Sequence, residues 1–148
     1  MTGRSRREIL ALGAGGVALA FAGRSEATPQ EAAAAIAKFT GGAGTQAGRI
    51  SIDLPEIAEN GNTVPLTVAV DSPMTADDHV SDILVVAEAN PRPAVVTFHL
   101  TPMSGRAEVA TRIRLAATQN VTVVARTSKG QFITAQKPVK VTVGGCGG

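Results

Sequence analysis

The sequence predicts an all-β fold, an immunoglobulin-like antiparallel β-sandwich with a short N-terminal helix and a flexible C-terminal arm. Two observations lead there. From Ile50 onward, apolar and polar residues alternate with a period of two, the mark of half-buried strands. Gly, Pro and Asn interrupt these runs at short intervals, with no βαβ alternation and no repeat of fixed period. Seven or eight short strands so punctuated suit a sandwich, with a closed barrel as the structural alternative.

The strands follow in order. Ile50, Ile52 and Leu54 alternate with polar residues, and Val64, Leu66, Val68 and Val70 do so over a longer run. Val80 to Ala87 is more continuously apolar. Val96, Phe98 and Leu100 alternate again, and Val109, Thr111, Ile113 and Leu115 form one face with Arg112 and Arg114 opposite. Val121–Ala125 and Gln131–Thr134 flank Ser128-Lys129-Gly130, a good hairpin turn. Val139, Val141 and Val143 complete a domain expected over residues 48–143.

A helix is expected over residues 28–41. Thr28 is suited to cap it, Pro29 fits the first helical position, and Glu31 sits three residues after the cap. Gly41 and Gly42 stop it. A helix this short needs a surface to lean on, and Ile36 and Phe39 supply its apolar stripe.

Residues 1–27 form an export signal. A basic start is followed by Ile9–Ala22, 14 uncharged residues, too short for a span of about 20. Cleavage is expected after Ala27, with Ala22 as the alternative. Arg6-Arg7, placed between Ser5 and Ile9-Leu10, resembles the twin-arginine signal of proteins exported already folded; an ordinary secretory signal with a chance arginine pair is the alternative. The mature protein is then periplasmic.

Composition excludes several functions. The formal charge is +2, but the leader holds that excess; the remaining chain has ten basic and ten acidic residues, so nothing marks a nucleic-acid or membrane partner after cleavage. Without Trp or Tyr there are no indole or phenol platforms for stacked bases. A single cysteine rules out an internal disulfide and a Cys-rich zinc site. His79 and His99 lack a carboxylate cluster at ligand spacing, and Asp77, Asp78 and Asp82 lack calcium-loop spacing, so no metal and no cofactor is expected. Arg112 and Arg114 read as a solvated face, with an acidic partner or an anionic sulfur group as the alternative.

The chemistry lies at Gly144-Gly145-Cys146-Gly147-Gly148. Four glycines around one thiol have nothing to bury and almost no backbone preference, so residues 144–148 are expected to form a mobile, exposed arm. An unpaired thiol in an oxidising compartment is a liability unless it is used. No Lys, Arg or His lies closer in sequence than Lys140, so no base is built in. The arm is poor as an enzyme nucleophile and well made as a carrier, with no catalytic residue of its own.

That pentapeptide resembles the sulfur-carrier family of the bacterial thiosulfate-oxidising Sox system, SoxY. The paired arginines, Asn90-Pro91-Arg92-Pro93-Ala94-Val95-Val96-Thr97-Phe98, and Thr111-Arg112-Ile113-Arg114-Leu115-Ala116 followed by Val121–Lys129 fit the same family. The resemblance implies that Cys146 is the covalent attachment site for sulfur. A c-type cytochrome enzyme would conjugate thiosulfate to it, a hydrolase would release sulfate to leave a persulfide, and a sulfane dehydrogenase, where present, would oxidise that sulfur further. It also implies a heterodimer with a second small β protein, SoxZ. Two other readings remain: a ubiquitin-like carrier using Gly147-Gly148, which the leader and the strand series oppose, and a structural β-sandwich that dimerises through Cys146.

If a folded-protein translocase reads Arg6-Arg7, the double substitution Arg6→Lys and Arg7→Lys holds the precursor in the cytoplasm; fractionation showing normal periplasmic accumulation would refute the twin-arginine reading.

Overall fold

The computed structural model describes residues 28–142. Nine strands and one α-helix occur among them: α1 (Pro29–Thr40), β1 (Gln46–Ala47), β2 (Ile50–Asp53), β3 (Ile57–Ala58), β4 (Val64–Val70), β5 (Val80–Ala87), β6 (Ala94–His99), β7 (Ala107–Ile113), β8 (Gln119–Thr127) and β9 (Phe132–Val141). One sheet has the order β1-β9-β8-β5-β6, with β3 also on β9; the other has the order β2-β4-β7. The two sheets remain separate, so the architecture is a sandwich and not a closed barrel.

The core lies between the sheets because alternate residues of each strand point inward. Val64, Leu66, Val68 and Val70 of β4 face Ile83, Val85 and Ala87 of β5 and Val121, Val123 and Ala125 of β8, all in one buried cluster. The unbroken apolar run of β5 has a different cause. Leu84 and Val86 face away from that core and are covered by Ala32, Ile36 and Phe39 of α1. This strand is therefore buried on both faces, and alternation disappears where a second layer is added. Phe39 also meets Phe132 of β9 edge to face, ring centroids 5.9 Å apart.

Helix α1 begins and ends where its residues dictate. The Thr28 N–H donates to Glu31 Oε2 at 3.3 Å, one half of a capping box. Gly41 closes it in the left-handed region, at φ 65°, donating its N–H to the Ala37 carbonyl.

Three features differ from the sequence expectation. First, the runs Gln131–Thr134 and Val139, Val141 and Val143 were expected as separate strands, but Phe132–Val141 is one strand, β9; Val143 lies outside the described residues. Pro138 is tolerated within it because of the direction of its missing N–H. Lys140 and Thr142 donate outward to Glu56 O (2.9 Å) and Ala58 O (3.0 Å), so position 138 faces that same outer edge. It sits in the gap between β1, which pairs as far as Thr134, and β3, which begins opposite Lys140. Second, β1 and β3 lie parallel to β9, two short additions to an otherwise antiparallel fold. Between them the chain crosses to the other sheet as β2 and returns. Third, the strands beginning at Gln119 and Ala107 start earlier than their apolar residues announce.

Leu84→Ala is expected to cost about 2–5 kcal/mol and to loosen α1, since it removes one of the buried apolar side chains packed beneath the helix. Met103→Ala, at a 96% exposed position, should stay within about 0.5 kcal/mol; urea unfolding followed by circular dichroism measures both.

Candidate functional site

The last described strand delivers the chain toward the terminal cysteine, and its end is held on both edges. On one side β3 pairs Ala58 with Val141, and Ala58 O accepts from both the Thr142 N–H (3.0 Å) and its hydroxyl (3.4 Å). On the other side β8 has already turned away, and the Thr118 hydroxyl takes its place. It accepts from the Val141 N–H at 2.9 Å and donates to the Val141 carbonyl at 3.3 Å.

The loops around this point are tied together by buried amides. Asn90 and Gln119 are only 8% and 6% exposed, so each polar atom needs a partner inside the protein. Asn90 Nδ2 donates to Arg114 O (2.7 Å), and its Oδ1 accepts from the Ala116 N–H (2.9 Å) and Gln119 Nε2 (3.1 Å). Gln119 Nε2 also donates to Ala117 O (3.0 Å), while its Oε1 accepts from the Ala89 N–H (2.8 Å). The β5–β6 turn and the β7–β8 loop are thus joined through two side chains. Leu115 N–H donates to Gly61 O at 2.7 Å, which brings in the loop after β3. A Cβ on Gly61 would lie 2.4 Å from Leu115 O and 2.9 Å from Val141 Cγ1, so only glycine permits this approach. Ile57 on β3 is 56% exposed, a large apolar side chain left at the surface beside the end of β9.

Of the residues singled out from sequence, Arg6 and Arg7 and the segment Gly144, Gly145, Cys146, Gly147 and Gly148 lie outside the described residues. Asn90, noted there only as part of a motif, is the centre of the loop network. Thr118 and Gln119 were not anticipated. A polar Thr-Gln-Asn run directly ahead of the apolar Val121–Ala125 was the available signal, since polar residues abutting a buried strand need local partners. Arg112 and Arg114 are exposed.

The histidines lie at the opposite end of the sandwich, around the start of β5. His99 Nδ1 is 2.5 Å from Asp82 Oδ1, and His79 Nδ1 is 3.0 Å from Thr75 O. Asp78 pairs with Lys129 at 3.4 Å. These contacts are turn and edge fastenings. Among the described residues, no group of three or more His, Cys, Asp or Glu side chains is placed to hold a metal ion. No helix among them is long and apolar enough to cross a membrane.

The family model described as "Sulfur oxidation protein SoxY" matches residues 36–146, three quarters of the chain, and its match ends on Cys146. The chain belongs to the SoxY family. The sulfur carrier protein SoxY from Chlorobium limicola f thiosulfatophilum is similar over 78% of this chain and 100% of that one, at 36% identity and a TM-score of 0.66. Membership in the SoxY family gives the chain a carrier role in sulfur oxidation. A superoxide reductase (neelaredoxin) from Ignicoccus hospitalis is similar over 64% of this chain and 80% of that one, at 17% identity and a TM-score of 0.57. A superoxide reductase from Nanoarchaeum equitans is similar over 64% and 97%, at 9% identity and a TM-score of 0.50. At such identities the likeness is one of fold alone. No curated protein matches the chain.

Asn90→Ala leaves the Ala116 N–H and the Arg114 carbonyl without their partner. It is expected to cost about 1–3 kcal/mol in equilibrium unfolding, while Arg112→Ala on the exposed face should stay within about 0.5 kcal/mol.

Proposed function

We propose that this SoxY-family protein is a periplasmic carrier that holds thiosulfate-derived sulfur covalently on Cys146 and presents it to separate oxidising and hydrolysing enzymes. The observation that carries the reading is the family match running through Cys146, four residues past Thr142, where the clamped end of β9 stops. Four residues span at most about 13–14 Å, enough to carry a thiol from the domain surface into a partner's cleft.

The chemistry follows from the thiol. Loading joins Cys146–SH to thiosulfate: an S–S bond forms, one proton leaves, and two electrons pass to the c-type cytochrome partner. The product is a cysteine S-thiosulfonate. Hydrolysis then adds water across the terminal S–S bond and releases sulfate, leaving a persulfide on Cys146. A sulfane dehydrogenase would oxidise that sulfur for a second hydrolysis, and the thiol returns. The carrier supplies no base or cofactor in this scheme. It supplies a soft nucleophile on a short tether, which holds each intermediate at high effective concentration for the next enzyme.

Export through Arg6-Arg7 and a SoxZ-like β partner complete the proposal. Support for the partner comes from the open edges of the sandwich. β6 and β7 end their sheets, and Val96, Phe98 and Val109 beside them are only partly buried. A stable heterodimer there would bury on the order of 1,200–2,000 Å².

Cys146→Ser tests the carrier. A hydroxyl without a nearby base is not ionised at neutral pH, so no sulfur attaches, and thiosulfate-dependent electron transfer to cytochrome falls to background while fold and partner binding persist. Intact mass of the wild type should show a reductant-labile sulfur adduct that the serine variant lacks. A doubled mass without adduct would favour the disulfide-dimer reading, and full turnover in Cys146→Ser would sink the carrier.

A further inference from the structure

We propose that Thr118 is a positioning residue for the arm, a side-chain substitute for the missing last rung of the sheet. The proposal rests on the carrier reading above. In the β8–β9 register Gln119 opposes Val139, so two residues further toward Cys146 Ala117 would oppose Val141. That rung does not form. The Ala117 carbonyl is instead taken by Gln119 Nε2 at 3.0 Å, as part of the amide network that turns the chain away. Val141 would then face water with both its N–H and its carbonyl on that edge. A single hydroxyl answers both, accepting at 2.9 Å and donating at 3.3 Å. A hydroxyl can do this because it is at once donor and acceptor.

The consequence is where the tether begins. With Thr118 on one edge and β3 on the other, the chain is held as far as Thr142, four positions before Cys146. Without the hydroxyl, Val141 and Thr142 depend on β3 alone, a strand of two residues. Whenever that short pairing opens, the tether counts from Val139, the last residue paired with β8, seven positions from Cys146. Effective concentration falls roughly as the −3/2 power of tether length, so the thiol would be presented about twofold less effectively to a partner's active site. Thr118 is exposed, so it has no packing role that would confuse the test.

The variants are Thr118→Val, which keeps the shape and removes the hydroxyl, and Thr118→Ser, which restores it. Thr122→Val is the control, since that hydroxyl serves Gln136 elsewhere on β8. Hydrogen exchange at the Val141 amide should be at least tenfold faster in Thr118→Val and near wild type in the other two. With Cys146 loaded by tetrathionate, which leaves an S-thiosulfonate on sulfur and expels thiosulfate, the sulfate-releasing hydrolase should show a KM for the carrier raised about twofold or more in Thr118→Val. Its kcat should be unchanged, and alkylation of free Cys146 by iodoacetamide should proceed at the wild-type rate in every variant. Serine rescue of KM supports the assignment. Unchanged exchange at Val141, or loosened Val141 with an unchanged KM, overturns it. A wild-type protein that takes no sulfur from tetrathionate at Cys146 would sink the carrier reading and the arm role together, while leaving the exchange result standing.

Discussion

The pairing of β9 on both of its edges is the constraint on which the rest of the structure depends. On one edge it runs against β8 from Phe132 to Val139. On the other it is covered by β1 at its start and β3 at its end. A strand so placed cannot slip by one residue without exposing Val139 and burying Lys140, so its register, and with it the position of Thr142, is fixed. Pro138 occupies the one stretch of the outer edge that neither β1 nor β3 covers, where a missing N–H breaks no ladder bond.

Around the end of β9 the polar groups form a closed account. Asn90 and Gln119 take part in five hydrogen bonds, one of them to each other, and no buried side-chain N or O among the described residues lacks a partner. Three loops that would otherwise move independently are held by short, directional bonds in a largely apolar setting, where leaving any one unmade is costly. A carrier gains from this arrangement. If Cys146 presents sulfur to separate enzymes, as proposed, these bonds give it a firmly held base at the end of β9. The opposite end of the sandwich is built differently, with exposed ion pairs such as Arg49–Asp71 at 3.1 Å that add little to stability.

Much of this was legible in the chain. The strands of β4 and β5 stand at the boundaries their apolar residues announce, Val64–Val70 and Val80–Ala87, because burial on one or both faces imprints directly on residue choice. The helix stands over Pro29–Thr40 because Pro29, Glu31 and Gly41 are local signals that act within a turn or two. The short strands β1 and β3 were not legible. Two residues carry no period, and their existence depends on β9, which lies some 80 residues away in sequence. Joining Gln131–Thr134 to Val139–Val141 was not legible either, since a proline in a strand is acceptable or not according to which edge its nitrogen faces.

The sequence by itself determined the class of fold, the exclusion of an internal disulfide within these residues, and the cysteine on which a carrier function would rest, because these follow from composition, periodicity and a single distinctive segment. Only the tertiary structure decided what holds the end of β9. Thr118, Asn90, Gln119 and Gly61 are unremarkable residues in a line of text. They matter because Val141 arrives with an unpaired edge, because the loop carbonyls of Arg114 and Ala117 point inward, and because two backbones meet too closely for a Cβ. Hydrogen bonds act over about 3 Å and steric exclusion over less, so which residues feel them is set by folding and not by sequence spacing.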